Sequence, residues 1–200
     1  MVKVKVCGLT NLADALAAIE FGADAVGFVF APSPRRVAPE TVRGIIAELP
    51  PFVTKVGVFV NSELTELRQT MTVCGLDLVQ LHGDEGPKLC EAVYPKVIKT
   101  FNSSDMPSPR ELQRFRVAAL MIDRKKGSTE QPEEIWSVAQ KLTAYGRVIL
   151  AGGLTPQNVD RAVETVRPYA VDVASGVEAS PGRKDHSKMK DFIDAAKRFK

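Results

Sequence analysis

Apolar positions along the chain alternate between two spacings. At the start, Val2, Val4 and Val6 are separated by lysines and followed by Cys7-Gly8, the period-two pattern of a half-buried strand that breaks at a glycine. From Asn11 to Phe21 the spacing changes. Leu12, Ala15, Leu16 and Ile19 share one helical face, with Asn11 placed to cap its start and Gly22 to end it. This exchange repeats to the last residues. Further strands are predicted at 25–30, 53–60, 78–81, 97–101, 118–122, 148–151 and 170–174. The helices predicted between and after them cover about 39–49, a stretch closing at Cys74-Gly75, 84 or 87 to 93, 111–115 and 133–143. The last two start at Pro156, as a first-turn proline, and near 187.

Eight strands alternating with eight helices, with no linker or composition break, predict one α/β domain over residues 1–200. Right-handed β-α units of this kind build an open doubly wound sheet or a closed (β/α)8 TIM barrel. Eight repeats without a reversal of direction favour the barrel. A chain of 200 residues sits at the short end for that fold, which implies short loops.

A hydrophobic content of 44% and a charged content of 26% are ordinary for a globular protein. The net charge of +3 gives no reason to expect nucleic acid and suits a small anionic ligand. Cys7, Cys74 and Cys90 are odd in number and lack metal-ligand spacing, which argues against a disulfide framework and for a reducing compartment. The first residues form no apolar signal segment, and no run is long enough to span a bilayer. A cytoplasmic protein without membrane contact is expected.

In a barrel the residues that follow the strands gather at one mouth. Here they are Cys7, the Arg35-Arg36 loop, Asn61, His82, Asn102, Asp123, Gly152-Gly153 and Ser175-Gly176. The glycines after strands seven and eight let backbone N–H groups approach a phosphate, although tight turns also use glycine. Cys7 is a candidate base or nucleophile, or else a small buried hydrophobe. Asp123 is a candidate general acid or base, or else a helix cap or a partner for Arg124 or Lys125. Arg36 is placed to hold a carboxylate, or to lie solvated on the surface. His82 has only His186 as a companion, so no metal site is expected. No Ser-His-Asp order is present, and Lys5 and Lys99 lie inside strands rather than at their ends. A thiol, a carboxyl and a phosphate anchor suit an isomerase or lyase acting on a phosphorylated metabolite.

Longer motifs narrow this. Val4-Lys5-Val6-Cys7-Gly8-Leu9-Thr10, Gly22-Ala23-Asp24-Ala25-Val26-Gly27-Phe28, Ser33-Pro34-Arg35-Arg36-Val37 and Val79-Gln80-Leu81-His82-Gly83-Asp84-Glu85 resemble phosphoribosylanthranilate isomerase. So do Ala151-Gly152-Gly153-Leu154-Thr155-Pro156, Val171-Asp172-Val173-Ala174-Ser175-Gly176-Val177-Glu178 and Pro181-Gly182-Arg183-Lys184-Asp185, in order along the chain. The resemblance implies a (β/α)8 barrel of tryptophan biosynthesis that carries out an Amadori rearrangement without a cofactor, as a monomer or homodimer. It assigns Cys7 as base, Asp123 as acid, Arg36 and His82 to the substrate, and Gly152, Gly153, Ser175 and Gly176 to its phosphate. One segment departs from the family. After Asp123 the usual longer loop with paired glycines is replaced by Arg124-Lys125-Lys126-Gly127-Ser128-Thr129-Glu130-Gln131, which implies a more open site or, as the alternative, a phosphate-binding barrel with impaired catalysis.

Overall fold

Strands buried on both faces need parallel neighbours and covering helices, and the alternating chain supplies both. In the computed structural model, which describes residues 1–125 and 127–198, each of eight barrel strands pairs in parallel with its neighbours in sequence, and the eighth pairs with the first. The barrel strands are β1 (Lys3–Val6), β2 (Ala25–Val29), β3 (Thr54–Phe59), β4 (Leu78–Leu81), β5 (Val97–Asn102), β6 (Ala119–Asp123), β7 (Val148–Leu150) and β8 (Ala170–Val173). The helices are α1 (Leu12–Glu20), α2 (Pro39–Ala47), α3 (Leu64–Cys74), α4 (Pro87–Val93), α5 (Pro109–Leu112), α6 (Pro132–Leu142), α7 (Val159–Val166) and α8 (His186–Ala196). The TIM barrel expected from the alternation is the fold observed.

Strand alternation divides the buried residues into two cores. Val56, Ile98, Ala119, Met121, Ile149, Ala151 and Ala170 point inward and fill the lower barrel. A larger set, with Phe28, Phe59, Leu81, Ile122, Leu150 and Phe192 fully buried, packs the outer strand faces against the helices. Each such side chain contributes about 1.5–3 kcal/mol relative to exposure. Two charged residues interrupt the inner core. Lys5 and Asp172 are register partners across the β1–β8 pair that closes the barrel, and their side chains form an ion pair of 2.7 Å with 4% and 8% exposure.

Element ends follow local chemistry. Asn11 caps α1 by accepting from the Asp14 N–H, and Gly75, at φ 71°, closes α3 in the left-handed conformation. Two expected helix positions are corrected. The helix after β7 starts at Val159, not at Pro156. Asn158 uses its carboxamide to hold a preceding turn, accepting from the Thr155 N–H at 2.8 Å and donating to the Gly153 carbonyl at 3.1 Å. The short helix expected at 111–115 instead spans Pro109–Leu112, because Ser108 and Glu111 cap it reciprocally. The sequence patterns also did not reveal an antiparallel hairpin after β8, made of β9 (Glu178–Ser180) and β10 (Arg183–Lys184).

All three cysteines are unpaired and buried. Among the described residues no helix is long and apolar enough to cross a membrane.

Candidate active site

The residues that follow the strands gather at one mouth of the barrel, where they line a cavity of two lobes. The first, of about 320 Å³, is walled by Gly152-Gly153 and Ser175-Gly176 and by the side chains of Arg35, Arg124 and Lys125. The second, of about 550 Å³, contains Cys7, Gln80, His82 and Asn102, with Val29, Val58 and Val60 as its apolar wall. Asp123 and Asp172 line both lobes. Together the lobes have the volume of a small-molecule site, one end formed by glycine loops and the other partly apolar, with Arg35, Arg124 and Lys125 lining both.

The glycines are there for approach as well as conformation. A Cβ on Gly176 would lie 2.0 Å from the Leu154 carbonyl oxygen, and Gly152 combines φ +85° with a Cβ position 2.8 Å from the Arg124 nitrogen. The loops after β7 and β8 therefore touch backbone to backbone. Gly176→Ala is expected to force them apart at about 1–3 kcal/mol, a fall in melting temperature of several degrees readable in a thermal melt.

The hairpin braces the same wall. Arg35 packs against Gly8, where a Cβ would lie 2.5 Å from its Cδ, and donates twice to Glu178 at 2.7 and 2.6 Å. Lys184, fully buried in its side chain, donates to Glu178 at 3.1 Å and to the Ala174 carbonyl at 3.0 Å. Burial works against the Glu178 carboxylate, yet Arg35 and Lys184 hold it below the usual range.

Cys7 ends the first strand with its N–H bonded to the Val173 carbonyl at 2.8 Å. Burial pushes its thiol up, and Lys5 opposes that shift. Asp123 closes β6. Burial pushes its carboxyl up, opposed by His82 and reinforced by Asp172. Its Oδ2 lies 3.6 Å from His82 Nε2, and its Oδ1 accepts the Arg124 N–H at 2.6 Å. Gln80, two residues before His82 on the same strand face, meets His82 Nδ1 at 3.3 Å. A carboxyl whose protonated form burial favours is suited to donate a proton, and a thiolate at the same cavity to accept one.

Another buried ion pair joins Glu85 and Lys99. Glu85 accepts from Lys99 at 2.7 Å and from the Asn61 and Gly83 N–H groups at 2.8 Å each. Lys99 also donates to the Gly83 carbonyl at 2.6 Å. One carboxylate thus ties together the loops after β3 and β4.

The expected site residues are distributed as follows. Cys7, His82, Asp123, Gly152, Gly153, Ser175 and Gly176 all line the cavity. Arg36 does not: it is exposed at the rim, its N–H on the Ser33 carbonyl at 3.1 Å, while its neighbour Arg35 forms the wall. Sequence reasoning passed over Lys5, Gln80 and Asp172, although a charged or amide side chain inside a strand buried on both faces was the available signal. The short loop after Asp123 contributes Arg124, Lys125 and Gly127 to the glycine lobe, and Glu130 ties it to the Ser103 hydroxyl at 3.0–3.1 Å. Among the described residues no group of His, Cys, Asp or Glu is arranged to hold a metal ion.

A sequence model described as N-(5'-phosphoribosyl)anthranilate (PRA) isomerase matches residues 4–195. The chain belongs to this family. It is 53% identical over 202 residues to the N-(5'-phosphoribosyl)anthranilate isomerase of Geobacter sulfurreducens, covering 98% of this chain and 99% of that one. The crystal structure of phosphoribosyl anthranilate isomerase from Thermotoga maritima superposes with a TM-score of 0.87 at 44% identity, covering 98% of this chain and 99% of that chain. A phosphoribosyl anthranilate isomerase solved in complex with reduced 1-(o-carboxyphenylamino)-1-deoxyribulose 5-phosphate gives a TM-score of 0.82 at 43% identity, with the same coverage of both chains. Family membership and fold therefore agree over nearly the whole length.

Proposed function

We propose that the chain isomerises N-(5-phosphoribosyl)anthranilate to 1-(2-carboxyphenylamino)-1-deoxyribulose 5-phosphate, with Cys7 as general base and Asp123 as general acid. The observation that carries this assignment is that Cys7, just after β1, and Asp123, at the end of β6, line one lobe, while the glycine lobe opens beside them. The 5-phosphate takes the lobe of Gly152, Gly153, Ser175 and Gly176, where Arg124 and Lys125 supply positive charge. The aryl group takes the larger lobe, against Val29, Val58 and Val60.

Protonated Asp123 gives its proton to the ribose ring oxygen as the C1–O bond breaks. The anilinic nitrogen supplies the electron pair and becomes a Schiff base. Cys7, as thiolate, removes the C2 proton, and the electrons of that C–H bond return to the nitrogen through the new double bond. The resulting enolamine relaxes to the ketone. Substrate and product are isomers, so no oxidant or second substrate is needed. His82, at 3.6 Å, favours the Asp123 carboxylate left after proton donation.

Arg36, exposed at the rim, is assigned to the anthranilate carboxylate. Arg36→Ala is then expected to raise KM by about tenfold, the loss of one charge-assisted contact, with a smaller change in kcat. The direct test of the function is loss of the substrate's anthranilate fluorescence on mixing freshly generated phosphoribosylanthranilate with the wild-type protein. Absence of turnover, with a reduced product analogue still bound, would overturn the assignment in favour of a binding protein.

A further inference from the structure

We propose that Lys5 is the counter-ion of the Cys7 thiolate, and so a positioning residue for the base of the isomerisation. The inference rests on the assignment of Cys7 as that base and adds what makes the base available. Lys5 precedes Cys7 by two residues on β1, so both side chains point into the barrel. They meet over Gly27 on β2: a Cβ there would lie 2.9 Å from the Cys7 sulfur and 3.1 Å from Lys5 Cε. The two groups therefore share a single small space, kept open by the absence of a side chain at Gly27.

An ammonium 3% exposed is costly unless its charge is answered. Asp172 answers it from β8, at 2.7 Å, using one of the three Nζ donors. The other donors make no hydrogen bond to another residue among those described, and the Lys5 stem and the Cys7 sulfur border the same space over Gly27.

Other charges also face Cys7: Asp172 from β8, Lys184 from the hairpin and Arg35 from the loop after β2. Lys184 and Arg35 are committed to Glu178, with hydrogen bonds of 3.1, 2.7 and 2.6 Å. Asp172 disfavours the thiolate. Lys5 is thus the cation placed to stabilise it. Burial opposes the Lys5 ammonium, but Asp172 above all holds its pKa above the ordinary value, so Lys5 keeps its charge across the working range. Once Cys7 ionises, the sulfur becomes an acceptor for the remaining N–H groups. When it takes the C2 proton, the Lys5–Asp172 pair is left neutral overall.

The test is the pH dependence of Cys7 alkylation by iodoacetamide, followed on the Cys7 peptide by mass spectrometry so that Cys74 and Cys90 do not contribute. The midpoint is expected to rise in Lys5→Met, with the rate at pH 7.5 falling by about tenfold for each unit of displacement. It should return towards wild type in Lys5→Arg and fall below wild type in Asp172→Asn. Lys5→Met leaves a buried carboxylate unpaired, so the double variant Lys5→Met/Asp172→Asn provides a second comparison. Its midpoint is expected to exceed that of Asp172→Asn alone. A folded Lys5→Met with the wild-type midpoint, or a double variant indistinguishable from Asp172→Asn, would overturn the proposal. Alkylation needs no substrate, so an inactive wild-type protein would refute the isomerase assignment while leaving this readout intact. In an active one, the acid limb of the kcat/KM profile should move upward with the alkylation midpoint in Lys5→Met.

Discussion

Cys7→Ser and Asp123→Asn are each expected to lower kcat by about 10²–10⁴-fold, the range for loss of a positioned acid or base. The serine hydroxyl stays protonated near neutrality and cannot replace a thiolate. The asparagine amide retains the size of Asp123 and a hydrogen bond to the Arg124 N–H, but it has no acidic proton to give. Binding of a reduced product analogue should be nearly unchanged in both, because the glycine lobe is intact. Steady-state kinetics combined with calorimetric titration of the analogue separates the two effects. A variant that keeps wild-type kcat would remove its residue from the proton-transfer steps. The double variant should lose less than the product of the single losses if acid and base act in one sequence.

Glu85→Gln is expected to cost about 3–5 kcal/mol of folding stability, the usual result of leaving one partner of a buried ion pair uncompensated. The Lys99 and Glu85 side chains are 3% and 2% exposed, and Glu85 also receives the Asn61 and Gly83 N–H groups. Urea unfolding at pH 7 checks this: the midpoint should fall while the slope stays constant. The sign of the pH dependence follows from the folded carboxyl. Burial would raise the Glu85 pKa, but Lys99 and the backbone donors hold it below its ordinary value of 4.5. The stabilisation is therefore fully present above the unfolded value and is lost as pH falls through the folded one. The gap between wild type and variant should narrow in acid. A gap that is constant from pH 7 to pH 3 would show that the carboxylate charge is not what stabilises these loops.

The alternation of apolar spacing identified the barrel because each β-α unit buries its faces locally, and strand ends then placed Cys7, His82, Asp123 and the paired glycines at one mouth. Helix starts were less legible where a side chain serves a turn before it serves a helix, as at Asn158. The hairpin after β8 was missed because strands of three and two residues carry too little period to read. Arg35 and Arg36 were a different kind of difficulty. The pair is indistinguishable in composition, and only tertiary packing on Gly8 and Glu178 selects Arg35 for the wall. Lys5 and Asp172 lie 167 residues apart, and no local pattern joins them.

The same separation governs the order in which the protein can be assembled during synthesis. β1 has β2 beside it early, but its other side waits for β8, whose last residue is Val173. Until then β1 presents an unpaired row of backbone donors and acceptors, with the Lys5 ammonium and the Cys7 thiol still reachable by water and by other nascent chains. Charge on that open row is a guard against strand-to-strand aggregation. Lys5 therefore serves the growing chain as a gatekeeper before ring closure turns it inward.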